Sequence, residues 1–258
     1  MTILDDIVQY KKTEELPPHK QARPLETIQA TLETAPQPRD FVAALKASTE
    51  VALIAEVKKA SPSKGVLRPN FDPTALATTY ADNGASAISV LTDEKYFQGQ
   101  LSYLSQIRQT VNTPVLRKDF IFDPYQVYEA RAAGADALLL IAAVLDDKRL
   151  AELLTLARSL NLTALIEVHD RAELERVLPL HPHLIGVNNR DLRDFSVDLN
   201  TCVNIRQYVP DEICFVAESG IHSAADVAWL KTEGVDAVLV GEALVVSDDV
   251  GAKVRELA

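Results

Sequence analysis

Several charged or polar residues of this 258-residue chain stand where short apolar runs end. Ile54-Ala55-Glu56-Val57-Lys58 sets a carboxylate and an ammonium two residues apart. In extended chain, side chains two apart point the same way, so Glu56 and Lys58 share a face. Leu116-Arg117-Lys118-Asp119 closes a second run, and Leu165-Ile166-Glu167 a third. Val216-Ala217-Glu218-Ser219-Gly220 and Leu239-Val240-Gly241-Glu242 end two more, and Asn188-Asn189-Arg190 follows another. Charges are rarely buried unless they are paired. One such residue is as readily a solvated strand end as a functional group. Lysines, glutamates and an asparagine gathered around one opening would supply proton donors and acceptors for general acid–base chemistry. Structural ion pairs would account for part of the set.

Other groups suit an anionic, partly aromatic ligand. The loop Lys59-Ala60-Ser61-Pro62-Ser63-Lys64-Gly65 is small, hydroxylated and basic, which fits an anion, although it is also ordinary loop composition. Gly220 and Gly241 allow backbone N–H groups to come close to a phosphate. Phe97 and Phe120 could floor a pocket for a ring or serve as packing under loops; spacing does not separate the two. His19, His169, His181, His183 and His222 form no metal-binding pattern, and no metal site is read here. Cys214 lies inside an apolar run and reads as core, as does Trp229 on a helix.

The elements that must position these residues repeat along the chain. Gly-Ala-Ser-Ala-Ile-Ser-Val-Leu from Gly84, Gly-Ala-Asp-Ala-Leu-Leu-Leu-Ile from Gly134 and Gly-Val-Asp-Ala-Val-Leu-Val-Gly from Gly234 start 50 and 100 residues apart. Each glycine suits the left-handed position that ends a helix. Each apolar run without alternation suits a parallel strand buried on both faces. Val51–Val57, Pro114–Lys118, Leu162–Val168, Leu184–Val187 and Ile213–Ala217 complete eight strands. Pro73–Asn83, Asp147–Leu160 and Ser223–Glu233 read as helices between them. Eight alternating units predict an α/β fold, a (β/α)8 TIM barrel. A doubly wound sheet is the rival, but G-x-G-x-x-G is missing. Active sites in such barrels lie at the C-terminal strand ends, where the charged residues fall. Residues 1–47 precede the first strand and read as a helical extension of a single domain spanning 1–258. Ile3, Leu4, Ile7 and Val8 form one amphipathic stretch, and Phe41, Val42 and Leu45 another. The link with Pro17, Pro18 and Pro24 reads as a loop.

Composition narrows the partners. Hydrophobic residues make up 47% and the formal net charge is −11, so the chain is globular and carries no general basic face for nucleic acid or an anionic membrane. Two cysteines make no disulfide framework. The longest uncharged apolar run, Ala137–Leu145, is far short of the roughly 20 residues that span a bilayer. The start carries acids and no long apolar core, unlike a signal peptide. The expectation is a soluble, cytoplasmic protein compatible with a monomer.

With these residues laid out, the chain resembles the indole-3-glycerol phosphate synthases. The likeness is carried by LIAEVKKASPSKGVL (Leu53–Leu67), SVLTDEKYFQG (Ser89–Gly99), LRKDFI (Leu116–Ile121), ALIEVHD (Ala164–Asp170), IGVNNRDL (Ile185–Leu192), AESGI (Ala217–Ile221) and VGEAL (Val240–Leu244), and it runs essentially end to end. The resemblance implies a carboxy-lyase of tryptophan biosynthesis. It would convert 1-(2-carboxyphenylamino)-1-deoxyribulose 5-phosphate to indole-3-glycerol phosphate, CO2 and water, with no metal or organic cofactor. It implies Lys118 as the acid and Glu167 as the base. Lys58 is either a second acid or the anchor of the substrate carboxylate. Glu56, Asn188 and Glu218 orient these groups, and Ser61, Phe97, Phe120, Arg190 and Ser219 bind substrate. Gly220, Gly241 and Glu242 hold the phosphate, with the Glu242 carboxylate turned away from it because two anions repel. Three other readings stand beside this one. A lysine Schiff-base aldolase would also use a lysine beside a glutamate. A sugar-phosphate isomerase would need only one acid and one base. A metabolite-binding barrel would bind the substrate and release no CO2.

Overall fold

A computed structural model describes residues 2–191 and 195–258; Leu192, at the end of one family motif, lies outside the described residues. Among the described residues, eight parallel strands close into a barrel. They are β1 (Ala52–Val57), β2 (Ala87–Leu91), β3 (Val115–Lys118), β4 (Ala137–Ile141), β5 (Thr163–Val168), β6 (Leu184–Asn188), β7 (Cys214–Glu218) and β8 (Ala237–Val240). Each pairs with its sequence neighbours, and β1 closes on β8 in the register Ala52↔Ala237 to Ala55↔Val240. A small antiparallel pair, Ala60–Ser61 with Gly65–Val66, folds the loop after β1.

Strand alternation divides the core into two parts. Ala52, Ile54, Ala87, Leu116, Leu139, Leu165, Val216 and Leu239 belong to an apolar cluster inside the barrel, which includes the buried Cys214. Their neighbours Leu53, Ala55, Val57, Ile88, Leu140, Ile166, Phe215 and Val238 belong to the larger cluster shared with the helices. Continuing the inward register by two residues leads from Ile54 to Glu56, from Leu116 to Lys118, from Leu165 to Glu167 and from Val216 to Glu218. The same period-two rule that fills the barrel with apolar side chains therefore puts charge in its last layer.

The helices start and stop on local signals. Asp72, Asp123, Asp146, Asp170 and Ser223 each accept a backbone N–H of the helix that follows, as N-cap residues do. The repeat glycines Gly84, Gly134 and Gly234 all have positive φ, a conformation that costs glycine least.

The N-terminal extension holds more helix than its pattern suggested. Helix α1 (Ile3–Tyr10) runs through a π-helical turn, Lys11–Glu15, into α2 (Leu16–Ala22); α3 (Leu25–Thr31) and α4 (Phe41–Lys46) follow. Pro17 and Pro18 thus lie within the first turn of α2, and their placement in a loop is corrected. Proline lacks an N–H and crowds the carbonyl four residues back. At a helix start that N–H has no partner to lose, and the π turn re-routes the preceding bond, from Leu16 N–H to the Lys11 carbonyl. Phe41 and Leu45 of α4 join the lumen cluster, and Ile28 of α3 is fully buried in the outer one. Among the described residues no helix is long and apolar enough to cross a membrane.

If α3 is part of the core, Ile28→Ala will lower unfolding free energy by about 2–5 kcal/mol, as other buried truncations do. A urea midpoint unchanged from the parent would mean that the extension packs loosely.

Candidate active site

The strand ends bring the charged residues together. The Nζ of Lys118 lies 3.0 Å from Glu167 Oε2 and 3.1 Å from Glu218 Oε2. Both carboxylates are 2% exposed, so they reach the lysine without competing water. Asn188, ending β6, donates its amide to Glu167 Oε1 at 3.3 Å. On β1, the Lys58 ammonium lies 2.7 Å from Glu56 Oε1. Two glycines make room. A Cβ at Gly186 would fall 2.2 Å from Glu218 Oε1, and one at Gly241 would fall 2.3 Å from Glu56 Oε1. Neither position, Gly186 within β6 or Gly241 just after β8, could carry a side chain without displacing a carboxylate.

Charge decides the protonation states. Burial alone would push Lys118 toward the neutral amine, but Glu167, Glu218 and Glu56 outweigh it and raise its pKa, so it stays an ammonium. Burial likewise opposes ionisation of Glu167, but Lys118 and His169 overcome it and hold this carboxyl well below the usual range. Glu218 goes the other way. Burial and the neighbouring charges of Glu167 and Glu56 exceed the pull of Lys118 and push it up to about 7. Among the described residues its Oε1 is buried without a hydrogen-bond partner, while Glu167 is held by Lys118 and Asn188. Two glutamates around one lysine are thereby driven apart, the usual origin of paired acid and base roles.

The other predicted residues line the same cavity. Ser61, Phe97, Phe120, Arg190, Ser219, Gly220, Gly241 and Glu242 all contribute to its wall with Glu56, Lys58, Lys118, Glu167, Asn188 and Glu218. The rings of Phe97 and Phe120 lie 6.1 Å apart at 39°. The backbone N–H of Arg190 donates to Asn188 Oδ1 at 3.1 Å, and its guanidinium to the Phe195 carbonyl at 3.2 Å. Ser219 is held at φ 66° without glycine's freedom, followed by Gly220 at φ 82°; such strained backbone is retained where function uses it. A Cβ at Gly220 would also run into Val197 at 2.4 Å. The Glu242 carboxylate is turned to the Lys64 ammonium of the loop after β1.

Three contributors escaped the sequence reading. Ile3, Leu4 and Ile7 of α1 line the cavity; their spacing was visible, but not the face they cover. His169 reads as neutral in spacing, yet its Nε2 stands 3.3 Å from Glu167 Oε1 and its Nδ1 3.2 Å from Glu173 Oε2. Burial would lower its pKa, but the two glutamates push it up to about 10, making it a second cation beside Glu167. Lys11, one of a surface-like Lys-Lys pair in the sequence, is 1% exposed. Its only sequence signal was the amphipathic stretch it follows.

The family model described as indole-3-glycerol phosphate synthase matches residues 4–257. An indole-3-glycerol phosphate synthase of Roseiflexus sp. (strain RS-1) is 54% identical over 264 residues, covering 99% of this chain and 98% of its own. One of Rhodopirellula baltica is 48% identical over 258 residues, covering 100% and 99%. Among solved structures, a thiamine phosphate pyrophosphorylase from Pyrococcus furiosus aligns with a TM-score of 0.60 at 20% identity, covering 80% of this chain and 93% of that one. At that identity the likeness shows the barrel fold alone.

The Glu218 environment has a consequence for stability. From its ordinary value of 4.5 up to about 7, folded Glu218 keeps a proton that the unfolded chain releases. Its contribution is full below 4.5 and is lost as pH rises through 7. Glu218→Gln, which cannot ionise, is expected to flatten the fall of the urea midpoint between roughly pH 5 and 8. The same slope in parent and variant would place Glu218 at an ordinary carboxylate value.

Proposed function

The chain belongs to the indole-3-glycerol phosphate synthase family, and we propose that the cluster around Lys118 carries out the family's ring closure. The enzyme is a carboxy-lyase of tryptophan biosynthesis that acts on 1-(2-carboxyphenylamino)-1-deoxyribulose 5-phosphate. In our reading the anthranilate ring packs against Phe97 and Phe120, and the phosphate meets the backbone of Gly220, Gly241 and Glu242. Ser61, Ser219 and Arg190 hold the polar parts of the chain between them. The cytoplasm, where such biosynthesis runs, is the compartment we assign.

The reaction needs a proton at the ketone oxygen when the carboxyl-bearing ring carbon attacks the ketone carbon. Lys118 gives that proton. What supports the role is its position between two buried carboxylates that hold it as an ammonium. Closure makes one C–C bond and turns the ketone oxygen into a hydroxyl. It leaves the ring nitrogen cationic, and the Glu56 carboxylate offsets that charge in a site with little water. The bond to the carboxylate then breaks, CO2 leaves, and its electron pair returns to the ring. In the last step Glu167 takes a proton from the carbon next to nitrogen as the hydroxyl leaves with a proton from an ammonium, giving indole and water. Lys58, which lines the same cavity and is paired with Glu56, serves as that second acid or holds the substrate carboxylate. A Schiff-base aldolase would need Lys118 as a free amine, and its carboxylate neighbours disfavour that form.

The test is turnover of the carboxyphenylamino-deoxyribulose phosphate by purified protein in EDTA, followed by indole fluorescence. Lys118→Ala and Glu167→Gln are each expected to lower kcat by about 10²-fold or more with the fold retained. Near-parental turnover in either folded variant would remove that residue from its assigned role. Absence of turnover in the folded parent would reject the assignment of the site.

A further inference from the structure

Beneath the phenylalanines lies a second charge cluster that the reaction does not use. The Lys11 Nζ, in the π turn after α1, lies 2.9 Å from Asp119 Oδ1 and 3.3 Å from Asp93 Oδ2, and also contacts the Glu15 carboxylate. Both aspartates hold backbone at the cavity wall. Asp93 Oδ1 accepts the N–H groups of Tyr96, at 2.8 Å, and Phe97, at 3.1 Å. Asp119 Oδ1 accepts the N–H of Phe120 at 2.8 Å. Its other oxygen accepts from Thr92 at 2.6 Å and Arg117 at 3.1 Å. Arg117 is in turn braced by Glu129 at 2.8 Å.

One cation therefore joins the loop after β2, the loop after β3 and the helix whose Ile3, Leu4 and Ile7 line the cavity. We propose that Lys11 is a positioning residue for the aromatic end of the substrate: by binding Asp93 and Asp119 together it sets the separation of Phe97 and Phe120 and docks α1 over them. A buried ion cluster is seldom the most stabilising way to fill a core, and an apolar replacement often serves as well. Its value here is geometric, because the two carboxylates it joins are those that fix the two ring-bearing residues. The same segment is held a second time, by an edge-on contact of Tyr10 with Tyr96, 6.0 Å between centroids, and by Lys95 over the Tyr10 ring at 3.6 Å.

The inference rests on the reading that Phe97 and Phe120 flank the anthranilate ring, and the experiment separates the two. Lys11→Met, Lys11→Arg and Phe120→Ala would be compared with the parent for kcat and KM, and by calorimetry for indole-3-glycerol phosphate and inorganic phosphate. In Lys11→Met, KM and the product Kd are expected to rise about tenfold or more, with kcat less affected, since misplacing a positioning group weakens whatever it orients. Affinity for inorganic phosphate should stay within about twofold, and Lys11→Arg should recover most of the loss, because the guanidinium keeps the charge. A merely structural lysine would weaken both ligands alike or neither, and either result in a folded variant overturns the proposal. If Phe120→Ala leaves product affinity unchanged, the ring placement itself fails and takes the proposal with it. If Phe120→Ala weakens product and Lys11→Met does not, only the role of Lys11 fails. Should Lys11→Met not fold, Asp93→Asn, whose amide oxygen still accepts the loop N–H groups, is judged by the same contrast between product and phosphate.

Discussion

A lysine ammonium in the top layer of a barrel has to be paired, and this constraint organises the site. Lys118 leaves the apolar lumen at the layer above Leu116, where water is scarce and an isolated charge is costly. Glu167 and Glu218 answer that cost from strands β5 and β7. Once placed, the three charges act on each other. The lysine is fixed as an acid, the better-held glutamate as an anion, and the one with an unpartnered oxygen is left close to neutrality in pH terms. The division of roles comes from who else each carboxylate touches, not from residue type.

That arrangement reaches outward in two directions. On one side Glu167 meets His169, which Glu173 holds in turn, so cations lie on both sides of the proposed base. On the other, Lys118 is followed in the chain by Asp119 and Phe120, and Asp119 belongs to the Lys11 cluster. Strand alternation makes this division. Lys118 faces the lumen, while Arg117 turns to Gln126 and Glu129 of the following helix and Asp119, just past the strand, turns to Lys11. One short segment thus carries a catalytic charge inward and a structural charge outward.

The barrel and the inward-facing charges were legible because both follow from period two. Apolar runs without alternation named the strands, and Glu56, Lys118, Glu167 and Glu218 occupied the next inward positions. Gly134, with positive φ, was read correctly from its place after a helix pattern. The prolines were not, because a Pro-Pro pair reads as a break unless one knows that a π turn precedes it. Lys11 was also illegible. Nothing in Lys11-Lys12-Thr13 distinguishes a buried ammonium from a solvated one, since its partners Asp93 and Asp119 lie far along the chain. His169 was hidden for the same reason in milder form: its neighbour Glu167 was known to matter, but the turn of the imidazole back toward it depends on the first turn of the following helix.

The protonation state of Lys118 is the point on which the account depends most. It can be followed directly by NMR of protein carrying carbon-13 at the lysine ε position, with the Lys118 signal assigned by its loss in Lys118→Arg. Across roughly pH 6 to 10, below the ordinary lysine midpoint, the account predicts that this resonance keeps the shift of the charged ammonium. A titration midpoint near or below pH 7 would mean that Lys118 is largely a neutral amine under working conditions. The acid role would then be wrong, and amine chemistry at this lysine would have to be considered instead.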